Sequence, residues 1–306
     1  MASTAVTLLF VSLLVFVVVR VLPGDPALVM LGIEASPQAV AALRESLGLN
    51  RPVPVQYIQW VGRAARGDLG RSIQYDVPVA GLVLSRLSVT LPLTLMAAGF
   101  MVLAAVPLGV FAATYHRRWG DYVTMTLSQL GIAVPGFWAG LLLILLFSVK
   151  LGWFQAGGFD GWGQGVGGAL KSLLLPAVAL GLFQFAVLAR TTRSALLEVL
   201  REEYVKTARA KGVAERGVLF RHALRNAMIP ILTVAGVQLG QLMAGSIILE
   251  SVFYLPGLGR LALGAISARD LPVVQGVVLF VASVIVGINA AVDVLYGLLD
   301  PRIRYD

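Results

Sequence analysis

The chain has 306 residues, of which 58% are hydrophobic and only 13% are charged. Soluble domains carry roughly 25% charged residues, so this composition predicts an integral membrane protein. The net charge of +8 does not indicate nucleic-acid binding, because the basic residues occupy short segments between apolar runs. The chain has no cysteine, and its two histidines, His116 and His222, are far apart, so we expect neither a disulfide framework nor a metal site.

Six runs are long and apolar enough to cross a bilayer, which takes roughly 20 apolar residues. They cover residues 1–21, 87–115, 122–149, 172–189, 226–249 and 271–292. The first run lacks the basic start and the cleavage site of a signal peptide, so we expect it to remain as a membrane helix. It ends at Leu22-Pro23-Gly24-Asp25-Pro26, because two prolines and a glycine in so short a stretch cannot continue a helix.

Residues 22–86 are polar, and their nearly balanced charge predicts a large external segment. Within it, Ser36 is a favourable N-cap, Pro37 a favourable first helical residue and Gly48 a favourable terminator. Apolar residues fall on one face of this short helix, so we expect it to be amphipathic and to lie on the membrane surface or on the bundle. On its residues alone, the segment GDLGRS at 67–72 is a plain glycine turn.

A basic turn at 116–121 joins the second and third spans, and we place it in the cytoplasm. Pro135-Gly136 lies near the middle of the third span. Such a pair interrupts a helix in lipid only where neighbouring groups satisfy the freed carbonyls, so this side is expected to face the bundle interior. The glycine-rich loop at 150–171 is predicted to be external and flexible.

Residues 190–225 form the most charged part of the chain, and they contain nine of its 24 Lys and Arg residues. We call this segment the charged loop; its basic excess predicts a cytoplasmic location. Residues 194–210 are rich in helix formers and lack Gly and Pro, so we expect one helix that Gly212 terminates. Small residues at this bend, Ala208, Ala210 and Gly212, would let another surface approach closely. The composition of the segment, taken alone, favours a simpler alternative: an ordinary connecting loop that is solvated and anchored by anionic lipid.

Four polar residues of spans five and six are candidates for a translocation path or a subunit interface: Gln238, Gln241, Asn289 and Asp293. The two glutamines suit either a path or interhelical hydrogen bonds, and the sequence does not separate these roles. A carboxylate at the cytoplasmic interface is the favoured interpretation of Asp293 over a gate or a partner contact. Gly236, Gly240 and Gly245 are spaced for close helix packing.

The orientation of the spans follows from the charged loop. If it lies inside, the basic turn at 116–121 and the C-terminal tail at 300–306 also lie inside. Six spans then place the N-terminus inside as well, with 22–86 and 150–171 outside. The sequence therefore predicts an all-α membrane protein with both termini in the cytoplasm.

Several motifs resemble one family of membrane permeases. YVKTARAKG, followed by RHALRNAMIP, resembles the form of the EAA loop found in dipeptide, oligopeptide, nickel and glutathione permeases of type I ABC importers. Lys206, Thr207 and Ala208 stand where the general motif has Glu-Ala-Ala, and Gly212 stands at its glycine. The segments LPGDP, GDLGRS, FYLPGLGRLALGAISARDLPVVQG and VDVLYGLLDPRIRYD also resemble this family, so the likeness covers nearly the whole chain.

The resemblance implies a type I ABC transmembrane domain at 87–299 and a permease subunit of the inner membrane that works by alternating access. Its implied partners are a second homologous permease subunit, two cytoplasmic ABC ATPase subunits, an external solute-binding protein and membrane lipid. The resemblance implies that ten residues of the charged loop couple the permease to the ATPase: Glu203, Tyr204, Lys206, Thr207, Ala208, Ala210, Lys211, Gly212, Arg221 and His222. We expect no catalytic residue and no cofactor, since the chain has neither a phosphate-binding loop nor a nucleophile motif.

Two other classes stay open at this point. A self-contained secondary transporter or channel would need its own ion or proton site within the spans, for which Asp293 is the only candidate. An intramembrane enzyme would need paired catalytic groups at one depth, and we find none. The resemblance leaves the solute open among dipeptides, oligopeptides, glutathione, nickel complexes and sugars.

Overall fold

The computed structural model describes residues 2–21, 28, 31, 35–46 and 48–299. Within these residues the chain is helical apart from its loops and one isolated antiparallel bridge between Arg71 and Pro78. The all-α membrane fold predicted from the sequence is confirmed. The LPGDP helix exit and the tail at 300–306 lie outside the described residues.

The described residues form helices of 8 to 36 residues that are separated by loops. They are α1 (Ala2–Val21), α2 (Pro37–Ser46), α3 (Val53–Ala64), α4 (Val79–Thr114), α5 (Trp119–Ala133), α6 (Gly136–Leu143), α7 (Val166–Val199), α8 (Glu203–Ala210), α9 (Leu224–Val252), α10 (Leu258–Ser267) and α11 (Leu271–Leu299). A π-helical segment, Ile144–Lys150, extends α6. The helical turn Glu215–Gly217 and the π-helical segment Val218–Ala223 lead into α9.

Among the described residues, four helical stretches are long and apolar enough to cross a membrane: Val79–Thr114, Val166–Val199, Glu215–Val252 and Leu271–Val292. The number is five if the bent pair Trp119–Ala133 and Gly136–Lys150 counts as one span. Within α1, Val6–Val18 is a shorter apolar stretch. The six-span topology and the assignment of loops to either side of the membrane stay predictions.

The bent pair turns by 105° at Val134 and Pro135. Val134 is extended, with φ −86° and ψ 121°, because the ring of the following proline disfavours the helical conformation there. A Cβ at Gly136 would lie 3.9 Å from the Ala179 carbonyl oxygen of α7, and one at Gly140 would lie 3.0 Å from the Phe253 ring. This side of the bend therefore faces neighbouring helices, as the sequence predicts.

The chain divides into two compact units, of which the first comprises Met1–Val89 and Pro256–Val286. Its core is made of buried apolar residues of α4, α10 and α11: Val79, Val83, Leu258, Leu261, Ala262, Ala265, Val273 and Val277. In the same unit α1 packs on α3, where the Phe16 and Tyr57 rings lie 5.4 Å apart between centroids. The short helix α2 has the predicted N-cap, since the Ala39 N–H donates to Ser36 Oγ at 3.3 Å.

The second unit comprises Thr90–Leu255 and Gly287–Asp306, and α7 packs there against α5, α6 and α9. The predicted close packing at glycines of α9 is confirmed at two positions. A Cβ at Gly236 would lie 2.5 Å from Val292 Cγ1 of α11, and one at Gly245 would lie 3.1 Å from Leu180 Cδ1 of α7. Larger residues at these positions would force the helices apart.

The glycine-rich loop at 150–171 contacts the backbone of the residue that follows α9, and its flexibility stays a prediction. The Gly158 N–H donates to the Phe253 carbonyl oxygen at 2.8 Å. A Cβ at Gly157 would lie 2.8 Å from the same oxygen, so that position has no room for a side chain. Glycine here permits a close backbone approach, which a flexible linker would not require.

Candidate functional site

The charged loop is made of the end of α7, the short helix α8 and the helical lead into α9. The single helix predicted over 194–210 is wrong, because a turn at 200–202 separates α7 from α8. Glu202 is extended, with φ −65° and ψ 146°, and its N–H donates to the Val199 carbonyl oxygen at 3.1 Å. Helix-forming residues occupy this turn, so composition alone could not reveal it.

Helix α8 ends in a Schellman motif, which confirms the predicted role of Gly212 as its C-terminal cap. Gly212 has φ +80°, and its N–H donates to the Arg209 carbonyl oxygen at 2.9 Å. The Val213 N–H donates to the Ala208 carbonyl oxygen at 3.2 Å. A Cβ at Gly212 would meet nothing within 4 Å, so the residue borders open space on the outer side of the bend.

One face of α8 is buried within the protein and the other is exposed. Val205 and Ala208 are its buried residues, at 0% and 7% exposure. Ala208 therefore helps to hold α8 in place and is not part of the outer surface. The remaining predicted coupling residues of this bend are exposed: Glu203, Tyr204, Lys206, Thr207, Ala210, Lys211 and Gly212.

A hydrogen bond ties α8 to the start of α9. Asn226 Nδ2 donates to the Tyr204 hydroxyl at 2.6 Å and lies 3.4 Å from the His222 carbonyl oxygen. His222 is half-buried and Arg221 is exposed in the π-helical segment. The loop that contains α8 is therefore joined to α9 by this polar contact as well as by the chain itself.

Two ion pairs lie on the surface of the charged loop. Lys206 Nζ is 2.7 Å from Glu203 Oε1, and Arg209 Nε is 2.9 Å from Glu215 Oε1. The side chains of the first pair are 58% and 86% exposed, and those of the second pair are 40% and 74% exposed. Solvent-exposed pairs of this kind contribute roughly 0.2–1 kcal/mol to stability, so they can exchange partners at little cost.

A buried ion pair that the sequence analysis missed joins α7 to α5. Arg193 Nη2 donates to Asp121 Oδ2 at 2.7 Å, and the same oxygen accepts the Arg117 N–H at 3.0 Å. His116 Nδ1 lies 3.0 Å from this oxygen and 3.0 Å from Arg193 Nη2. The Asp121 side chain is 4% exposed and that of Arg193 19%. We call Asp121, Arg193 and His116 the buried charge cluster.

The residues predicted for a translocation path or a subunit interface occupy different environments. Gln238 is buried within the second unit, whereas Gln241 and Asn289 are exposed. The side chain of Asp293 lies outside the described residues. Gln184 of α7, which the sequence analysis did not select, has its Oε1 buried without a hydrogen-bond partner in the described part of the chain.

Two buried carboxylates also escaped the sequence analysis. Glu250, within the apolar stretch that ends at Val252, is fully buried and accepts a hydrogen bond from Thr90 Oγ1 at 2.6 Å. Glu250 is therefore a second ionisable residue at the end of an apolar stretch, in addition to Asp293. In the first unit Asp270 is 1% exposed and accepts hydrogen bonds from Ser72 Oγ and, at 3.1 Å, from the Gln74 N–H. No group of three or more potential metal ligands occurs among the described residues.

The family model for the inner membrane component of binding-protein-dependent transport systems matches residues 105–305. The model for the N-terminal part of such components matches residues 1–94. The chain belongs to this family. It is a multi-pass permease subunit of an ABC importer in the inner membrane, and it works with ATPase and substrate-binding components. ATP hydrolysis takes place on the separate ATPase, so this permease is not itself an enzyme.

Similar proteins agree with this assignment. The permease is 46% identical over 305 residues to a putative peptide transport system permease protein of Brucella abortus (strain 2308), covering 100% of this chain and 97% of the relative. It is 44% identical over 299 residues to a glutathione transport system permease protein of Salmonella choleraesuis (strain SC-B67), covering 98% and 95%. The inward-facing MetNI methionine ABC transporter matches with a TM-score of 0.58 at 20% identity, over 72% of this chain and 96% of the matched chain, and shares the fold.

Proposed function

We propose that α8 is the element through which the ATPase drives this permease. The observation that carries the proposal is the two-sided construction of the helix. Val205 and Ala208 anchor its inner face, while its outer face and the Gly212 bend are open. A helix held by its neighbours on one side and free on the other can transmit a push from a partner without unfolding.

The proposed assembly contains this permease, a second homologous permease subunit, two cytoplasmic ATPase subunits and an external solute-binding protein. The exposed loop residues Glu203, Lys206, Lys211 and Arg221 supply charges for a complementary groove on an ATPase subunit. Thr207 and Ala210 lie on the same open side and leave room for close approach. The transmembrane domain at 87–299 is proposed as the body that moves.

The proposed mechanism is alternating access by rocking of helices. Closure of the ATPases on ATP would move α8, and the Tyr204–Asn226 hydrogen bond would pass that movement to α9. Exposed Gln241 and Asn289, with Asp293 beyond Asn289 on α11, are proposed to face the solute path or the second permease. Gln238 is buried, so we propose that it packs helices rather than contacting solute.

We propose that the solutes are peptides or closely related molecules, because relatives that align over the whole chain are named for peptide and glutathione transport. Uptake into vesicles that contain the complete complex tests this directly. Labelled glutathione and a labelled tripeptide with ordinary peptide bonds are offered separately and in competition. Uptake of neither, alongside uptake of a sugar or a nickel complex, would contradict the proposed solute class.

The coupling role is tested with Gly212→Trp, because the bulky ring would occupy the open side of the bend where the ATPase is proposed to dock. A matched control is Gly161→Trp. Gly161 has φ +79° against +80° for Gly212, and in both cases a Cβ would meet nothing within 4 Å. The two variants therefore impose similar backbone strain and add the same bulk in different loops.

Solute uptake and solute-stimulated ATP hydrolysis are measured for both variants in reconstituted vesicles. We expect Gly212→Trp to lose at least about 90% of both activities, equivalent to roughly 1.4 kcal/mol of coupling, while Gly161→Trp keeps them. Equal activities in the two variants, with equal amounts of assembled complex, would refute the docking role of α8.

The proposed orientation is tested by single cysteines, which is straightforward because the natural chain has none. Ala210→Cys lies on α8 and Ala156→Cys lies in the glycine-rich loop, and both positions are exposed. In intact cells, a membrane-impermeant maleimide should label Ala156→Cys and leave Ala210→Cys unlabelled until the membrane is opened. Labelling of Ala210→Cys from outside would contradict the cytoplasmic location of α8.

A further inference from the structure

An open cleft of about 730 Å³ lies beside the turn between α4 and α5. Four aromatic rings and two arginines line it: Phe111, Tyr115, Trp119, Tyr122, Arg117 and Arg118. The exposed fractions of Trp119 and Tyr122 are 84% and 60%. The cleft therefore combines apolar rings with two guanidinium groups on an open surface.

The walls of the cleft are fixed by contacts within the turn. Arg117 has φ +62°, and its N–H donates to Asp121 Oδ2 at 3.0 Å. The Phe111 and Tyr115 ring centroids are 4.8 Å apart. A Cβ at Gly120 would lie 2.7 Å from Phe111 Cε1, so the turn packs closely on that ring. The cleft is therefore part of the folded structure of the turn.

The charges of the cleft are available to a ligand. Arg117 and Arg118 are exposed, and in the part of the chain that the structure describes neither guanidinium takes part in an ion pair. The nearest carboxylate in sequence, Asp121, is already bonded to Arg193. Two arginines beside each other therefore present a positive charge that neighbouring side chains do not neutralise.

The position of the cleft in the chain indicates which kind of anion it would bind. It lies where the apolar helix α4 ends and α5 begins, and the charge pattern of the sequence predicts the boundary between an apolar span and water at this turn. Tyr and Trp rings favour this interface, and juxtamembrane arginines attract anionic lipids. We propose that the cleft binds the headgroup of an anionic glycerophospholipid, with its phosphate on Arg117 and Arg118 and its glycerol and upper acyl chain against the rings.

The test uses quenching of Trp119 by bromine-labelled lipids in nanodiscs that contain the complete transporter. The Trp119 signal is the difference between the wild type and Trp119→Phe, because the chain contains five tryptophans. We expect brominated phosphatidylglycerol to quench this signal at a mole fraction lower by on the order of tenfold than brominated phosphatidylcholine. Equal quenching by the two lipids, or no Trp119 signal that either lipid quenches, would overturn the proposal.

Paired substitutions locate the charge that recognises the lipid. Arg117→Gln with Arg118→Gln should abolish the preference for phosphatidylglycerol, whereas Arg117→Lys with Arg118→Lys should keep most of it. The matched control, Arg63→Gln with Arg66→Gln, removes the same charge from an exposed site elsewhere and should leave the preference unchanged. A preference that survives in the double glutamine variant at the cleft would overturn the assignment. The proposal would also be overturned if the double glutamine variant lost its ATPase subunits and kept its lipid preference. The cleft would then be a contact with another protein.

Discussion

Two groups of ion pairs in this permease differ in burial and in how far apart in the sequence the paired residues lie. The buried charge cluster connects Asp121 of α5 with Arg193 of α7, which are 72 positions apart. The surface pairs of the charged loop connect residues that are close in sequence, such as Lys206 and Glu203. The first group holds two helices together, whereas the second adds charge to an open surface.

This difference predicts opposite consequences of removing one partner. Breaking a buried pair leaves an uncompensated charge away from water, which costs roughly 3–5 kcal/mol. Breaking an exposed pair costs roughly 1 kcal/mol or less, because water replaces the lost partner. The buried charge cluster is therefore a structural joint, and the surface pairs are free to exchange their partners for those of another protein.

The largest effect is expected for Asp121→Asn, which removes the charge that Arg193 requires. We expect a loss of about 3 kcal/mol in stability, or a thermal unfolding midpoint lower by roughly 6–12 °C for the purified complex. The double variant Asp121→Asn with Arg193→Gln leaves no buried charge and should recover at least half of the loss. An unchanged midpoint in the single variant would mean that the pair does not hold α5 to α7.

Val205→Ala should have the next largest effect, because the Val205 side chain is fully buried on the inner face of α8. We expect a loss of about 1–2 kcal/mol in stability, with a matching loss of transport as α8 loosens. Val213→Ala is the matched control, since Val213 lies just beyond the Gly212 bend and is 37% exposed. The two variants are compared by thermal unfolding and by uptake, and equal effects would contradict the two-sided construction of α8.

Tyr204→Phe should cost about 1 kcal/mol, the usual contribution of one hydrogen bond. It removes the hydroxyl that accepts the bond from Asn226 and retains the ring. If this bond passes movement from α8 to α9, solute uptake should fall by more than the loss of stability, measured from the thermal unfolding midpoint, accounts for. The variants Tyr204→Phe, Asn226→Ala and their combination form a double-mutant cycle, and additive effects on uptake would rule out a shared role.

Lys206→Ala should have the smallest effect on stability, about 0.5 kcal/mol or less. The same substitution should weaken ATPase binding and make it less sensitive to salt, because an exposed charge acts mainly on association. Binding of the purified ATPase is measured at low and at high salt, with Arg63→Ala as the control for charge alone. A large fall in the thermal unfolding midpoint without a change in ATPase binding would contradict the comparison. The surface pair of Lys206 would then stabilise the fold rather than contribute to ATPase binding.

The sequence predicts the features that depend on local chemistry. The Gly212 cap, the Ser36 N-cap and the break at Pro135 each follow from the conformational preference of one residue, and the structure confirms them. The close approach at Gly236 also follows from the absence of a side chain. Motifs spread along the chain were sufficient to identify the permease family.

Features that depend on distant residues were not predictable in this way. Arg193 looked like one more basic residue of a charged loop, and Asp121 like the end of a basic turn, until the fold brought them together. The burial of Glu250 was not predictable either, because its partner Thr90 lies 160 positions earlier in the chain. The turn at 200–202 lies between good helix formers, so helix propensity does not explain why α7 ends there.

The contact between Asp121 and Arg193 also limits how the chain threads the bilayer. Residues that touch must lie on one side of the membrane, so the segment between them must make an even number of crossings. Helix α7 lies within that segment and is one of the four long apolar stretches. If α7 crosses once, the bent pair of α5 and α6 crosses once as well, despite its 105° turn. One salt bridge thus argues against a re-entrant hairpin at that bend and favours counting the bent pair as a single span.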